Sequence, residues 1–147
     1  MMDIKQLRYG NCVSLSETYR NVGDLLILDQ SKFEALIVFK SYDRIYPIPL
    51  TIDWLLMFGF EHIHDDLFKI HITDSVILIV NLNYLSQDVA ICINNQRFYV
   101  GKKYVHELQN LYFSLKRRDL DFNIRDEFTP PTLQQAIERL NKAFRTE

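Results

Sequence analysis

His62-Ile-His-Asp-Asp66 packs two histidines and two carboxylates into five positions. That donor set could supply metal ligands. If the segment is extended, His62 and His64 share one side, as a shared metal requires, with Asp65 as the next candidate ligand. A stable site needs a further ligand from elsewhere, and no residue stands at a recognisable spacing to supply it. Asp65-Asp66, just before an alternating apolar run, also reads as a polar turn. No metal is assigned on this basis, and His62, His64 and Asp65 remain the candidates for one. His71-Ile-Thr73 is a single His-x-Thr. A phosphate held between two such strands needs a second copy, and His62 and His106 are not followed by one. His71 reads as an exposed strand histidine.

The chain has no Gly-rich nucleotide loop, Walker motif, nucleophile elbow, paired zinc cysteines or H-E-x-x-H. No catalytic residue and no cofactor are assigned, and the reading leans away from an enzyme. A different chemistry is offered by Lys102-Lys103 and Lys116-Arg-Arg118. They fall at the two ends of one predicted helix, about 20 Å apart, as two basic spots and not one stripe. With Phe113 for stacking they form the best nucleic-acid argument. Asp119 and Asp121 nearby, and the formal charge of −2, weigh against it. His106 and Asn110, four apart, make a small polar patch on the face of that helix expected to be outward.

The elements that position these residues follow from periodicity. Tyr104, Val105, Leu108, Leu111, Tyr112 and Leu115 recur at steps of three and four, which predicts a helix over Tyr104–Leu115 with that stripe buried. Ahead of it, short apolar runs predict strands at 12–15, 25–28, 35–39 and 44–46. Pro47 and Pro49 stop that sheet. Thr51 is a good N-cap for a short helix near 52–58, with Trp54 as a core anchor and Gly59 as its left-handed end. A second block of strands follows at 67–72, 76–82, 89–93 and 97–100. The 76–82 run, apolar on both faces, is expected at the centre. Asn94-Asn95 is the tight turn of its last hairpin. A short edge strand is expected at 119–124. Thr132 and Gln135 stand as a capping box for a C-terminal helix near 133–145.

With 48% hydrophobic and 24% charged residues over 147 positions, the chain can bury a sizeable core. Residues 1–100 hold 8 basic against 12 acidic side chains and residues 101–147 hold 9 against 7, a mild asymmetry that makes the C-terminal part the better candidate for an acidic partner, while the overall charge gives no pull toward nucleic acid or an anionic membrane. Cys12 and Cys92 are read as reduced core residues. The longest apolar run, Val76–Val80, is far short of the ~20 residues of a membrane span. The amino-terminal residues carry no secretory pattern. A soluble protein in the cytoplasm of a bacterial host cell is expected, without a membrane partner.

Three stretches of the chain resemble segments found in one known group of proteins. Leu7-Arg-Tyr-Gly-Asn-Cys-Val13 resembles an "LRxGNxV" opening, Tyr46–Phe60 resembles a "PIPLTxxWLLxFGF" segment, and Tyr104–Phe113 resembles a "YVHxLQNLYF" helix. In this order they look like small uncharacterised proteins of Bacteroidetes phages, prophages and mobile elements. The resemblance covers roughly residues 7 to 122. It implies a phage or mobile-element setting and carries over no catalytic residue. Residues 125–147 continue past the point where that group typically stops.

The expected fold is α+β: a mostly antiparallel sheet packed on an amphipathic helix, with an SH3-like arrangement as one form of its N-terminal part. Residues 1–124 are read as a single domain and 125–147 as a helical extension. The expected function is a non-enzymatic protein-interaction module, a host- or defence-directed factor among its forms, with a protein partner or self-association. The alternatives are nucleic-acid binding through Lys102, Lys103, His106, Asn110, Lys116, Arg117 and Arg118, and a metal-dependent hydrolase at His62, His64 and Asp65.

Overall fold

The computed structural model describes residues 2, 4–20, 22–38, 44–83, 88–102, 104–120 and 132–145. The fold is α+β, with four α-helices, a two-stranded antiparallel sheet and a five-stranded antiparallel sheet among the described residues. The chain divides into two compact units, Met1–Ile48 with Ile124–Glu147, and Pro49–Asn123. This differs from the 1–124 body and 125–147 extension expected from the sequence, because the last helix belongs with the first third of the chain.

In the first unit, strand β1 (Cys12–Ser14) pairs antiparallel with β2 (Leu25–Ile27), Val13 lying opposite Leu26. The Gly10-Asn11 turn before β1 forms as expected, with Gly10 at φ 92° and the Asn11 side chain accepting from the Arg8 N–H at 2.7 Å. Tyr46 bridges to Ser14. The strand expected at 35–39 is instead helix α1 (Gln30–Val38), Phe39 lying outside the described residues. An apolar run such as Ala35-Leu-Ile-Val38 suits a buried strand and a buried helix turn equally. The helix is decided upstream. The Asp29 carboxylate accepts the Lys32 N–H at 2.9 Å, and the Asp29 carbonyl accepts the Phe33 N–H at 2.9 Å. Asp29 is therefore an N-cap, and the hydrogen bond from Lys32 holds its carboxyl below the usual range. Phe33 and Leu36, three apart, then reach the core while Ile37 and Val38 stay exposed. With α1 in that position, the first unit has two paired strands among the described residues, and not the several strands of an SH3-like barrel. Asp29→Ala is expected to cost about 0.5–2 kcal/mol in urea unfolding, and Asp29→Asn much less.

Helix α4 (Leu133–Arg145) opens on a reciprocal capping box: the Thr132 N–H donates to Gln135 Oε1 at 2.9 Å, and the Gln135 N–H donates to Thr132 Oγ1 at 3.2 Å. Ala136 and Leu140 complete a core with Met2, Leu7, Val13, Leu26, Leu28, Leu36 and Ile45. The terminal helix thus packs on its own chain. The Thr129-Pro-Pro break before it, and most of the strand expected at 119–124, lie outside the described residues.

In the second unit, α2 (Ile52–Met57) begins where Thr51 Oγ1 accepts the Trp54 N–H at 3.4 Å. It ends with the Phe60 N–H on the Leu55 carbonyl and the Gly59 N–H on the Leu56 carbonyl, Gly59 sitting at φ 86°. That double closure satisfies carbonyls that a helix end leaves open, and the left-handed residue in it is the expected glycine. Trp54 is 2% exposed, its ring 5.6 Å from that of Phe58.

A five-stranded meander follows: β3 (Glu61–His64), β4 (Leu67–His71), β5 (Val76–Asn81), β6 (Asp88–Ile93) and β7 (Gln96–Tyr99), paired in that order. β5 is central, as its two-sided apolar pattern predicts. Phe68, Val80 and Val89 form one buried cross-strand row. Asn94 and Asn95, at φ 51° and 68°, make the tight turn between β6 and β7. Helix α3 (Val105–Lys116) closes the unit, and the Lys116 ammonium donates to the Ile72 carbonyl at 2.6 Å.

Candidate functional site

Helix α3 carries most of the residues singled out for binding, and its buried side is only partly the expected one: Val105, Leu108 and Tyr112 are buried as the stripe predicts. Val105, His106, Leu108, Gln109 and Tyr112 are buried, while Leu111 and Leu115 are only partly so. The buried stripe is turned by about a quarter turn from the all-apolar one. His106 is consequently not on an outer face: it is 2% exposed, and neither ring nitrogen has a hydrogen-bond partner among the described residues. Its ring lies nearly parallel to that of Tyr104 with centroids 6.1 Å apart. Burial pushes its pKa down, Glu107 pulls it up, and Lys102 adds to the lowering. The His106–Asn110 surface patch is therefore lost as a binding element, although Asn110 itself is partly exposed.

The basic candidates also separate. Lys116 is engaged with the Ile72 carbonyl, so its ammonium serves the fold. Arg117 ends the helix at φ 63°, its N–H on the Phe113 carbonyl at 2.8 Å, and Arg117 and Arg118 are exposed. Lys102 is partly buried before the first turn, and Lys103 lies outside the described residues. Lys102 and the arginine pair stand at opposite ends of a 12-residue helix, about 18 Å apart.

The histidine hairpin is held by its own turn. His62 Nε2 donates to the Asp65 carbonyl at 2.7 Å, and Asp65 takes φ 47° in the polar turn read from Asp65-Asp66. A bulge between His62 and His64 changes the pairing, so His62 lies opposite Phe68 while His64 lies opposite Leu67. Cross-strand partners share a face and adjacent residues alternate. His62 and His64 are thus on opposite faces, against the expectation that they share a side. His62 rests on the Phe68 ring at 4.9 Å, and His64 Nδ1 is 3.5 Å from an Asp65 carboxylate oxygen. Among the described residues, no three His, Cys, Asp or Glu side chains converge as metal ligands. Cys12 is buried as read, while Cys92 is only partly buried, and both carry the reduced thiol.

The feature that sequence reasoning passed over is the β7 edge. All four of its residues are exposed, and Phe98 and Tyr99 are 52% and 65% accessible. They are consecutive, so one stands on each face of the sheet. The Val100 N–H donates to the Val89 carbonyl at 2.9 Å, and register pairs Phe98 with Ile91. Antiparallel bonding alternates along a strand, which leaves the N–H and C=O of Arg97 and Tyr99 pointing off the sheet. The signal was present in Arg97-Phe-Tyr-Val100. The last strand of a consecutive meander must be an edge, and its two aromatics cannot both face one core.

Compared with known proteins, the chain matches no family model, no curated protein and no solved structure. Among the described residues, no helix is long and apolar enough to cross a membrane.

Proposed function

We propose that the protein is a non-enzymatic interaction module that recruits a protein chain to the β7 edge, in the phage or mobile-element setting that its sequence resemblance implies. The observation that carries this is the pair Phe98 and Tyr99, large, exposed and flanking a row of outward backbone groups on an edge strand that no other described strand pairs. Aromatic side chains are enriched at protein interfaces, and an open strand edge takes an extended partner strand by main-chain pairing. A cytoplasmic location in a bacterial host belongs to the same proposal. The nucleic-acid alternative is weakened by the engagement of Lys116 and the burial of His106. The test is affinity capture from a bacterial lysate with wild-type protein and with Phe98→Ser/Tyr99→Ser, alongside mass in solution. A partner or self-association lost in the double variant is the expected result. A wild-type protein that is monomeric and captures nothing sinks the reading.

A further inference from the structure

Resting on that reading, we infer that the β7 edge pairs with the β7 edge of a second copy, antiparallel about a two-fold axis with Phe98 opposite Phe98. Three observations select this occupant and this register. The first is hydrogen-bond phase. Arg97 and Tyr99 carry the outward N–H and C=O groups, so they must form the bonded pairs of any added strand. Centring the axis on position 98 sets Arg97 of each copy against Tyr99 of the other. Four main-chain hydrogen bonds result, and all four strand residues fall within the paired stretch.

The second observation is side-chain complementarity in that register. Arg97 and Tyr99 share one face, so each guanidinium meets the partner's phenol ring, an attraction made twice by symmetry. Shifting the axis to position 97 would oppose two arginines. On the other face, Ile70, Leu78, Ile91 and Phe98 form an apolar row across four strands that ends on an uncovered ring. In the pair the row continues through the two rings, which meet at a non-bonded position where cross-strand side chains are closest.

The third is the contrast with the opposite edge. β3 carries a bulge between His62 and His64, a device that twists an edge away from further pairing. The regular β6–β7 ladder has no such shift and β7 contains no proline. A β7–β7 pair is isologous and closes on itself, giving one continuous ten-stranded sheet from two five-stranded ones.

The experiment is sedimentation of the full chain over a wide concentration range. A dimer that grows with concentration is expected. Tyr99→Pro removes an N–H that no bond within the sheet uses, and it is expected to weaken the dimer by about tenfold or more with the circular dichroism melt kept. Arg97→Glu replaces the cation facing each phenol and is expected to weaken it too. Register is read by mild oxidation: Phe98→Cys should give a chain-to-chain disulfide joining the two introduced thiols, mapped by peptide mass spectrometry, and Arg97→Cys should not. A monomer at every concentration overturns the pairing, as does a dimer indifferent to Tyr99→Pro. A monomer that captures another protein through Phe98 and Tyr99 overturns the pairing but leaves the interaction reading standing; a monomer that captures nothing ends both.

Discussion

Leu140→Ala is expected to destabilise the first unit by about 2–5 kcal/mol, the usual range for deleting a buried leucine side chain. Leu140 is 7% exposed and belongs to the same core as Val13, Leu26 and Leu36. The loss therefore falls on residues far away in the sequence. Hydrogen exchange should show it as faster exchange at Leu25–Ile27 and along Gln30–Val38, and not only within α4. Were the last helix a detachable extension, the variant would leave that protection unchanged. A conservative replacement, Leu140→Met, should keep most of the stability because it preserves volume.

His106→Leu is expected to raise stability by about 1–3 kcal/mol, because it removes a buried polar group that lacks hydrogen bonds. The sign with pH is fixed. Burial holds the folded pKa of His106 below its ordinary value of 6.5, so the unfolded chain takes up the proton first. Stability from this site is complete above that value. It declines as pH falls below it, down to the lower folded pKa, by at most about 1.4 kcal/mol per pH unit. His106→Leu should flatten that part of the profile in denaturant melts measured between pH 7 and pH 5. An unchanged slope would mean that His106 is protonated in the fold or reaches water there. The comparison isolates this residue, since the other three histidines are retained in both proteins.

Much of the second unit was legible because its signals are local. Thr51, Trp54 and Gly59 announce a short capped helix, Val76–Leu82 can only be central, and Asn94-Asn95 admits a tight turn. At two places in the chain polar detail overrides the apolar pattern. At Ala35–Val38 four apolar residues looked like a strand, and the decision lay with Asp29, six residues upstream. On α3 the apolar stripe was clean, yet His106 and Gln109 are buried in preference to Leu111 and Leu115. No composition rule announces a buried histidine, so periodicity alone places His106 on the outer face of α3. The histidine hairpin departs from its sequence pattern for a different reason. Alternation puts His62 and His64 on one side only without a bulge, and a bulge is a property of the pairing, not of either strand alone. The β7 edge was readable in principle, but only once the meander order was known.

The first unit is discontinuous, since its core is assembled from both sides of the Pro49–Asn123 segment. On a ribosome this fixes an order of events. At about 5–20 residues per second, roughly 5–20 s separate the synthesis of Ile48 from that of Leu140. The intervening sheet and its helix are complete in sequence before the missing core residues exist. Through that interval Leu26, Leu28 and Leu36 have no Ala136 or Leu140 to cover them. The nascent chain therefore carries an uncovered apolar surface around Leu26, Leu28 and Leu36, open to chaperones for as long as α4 is unmade.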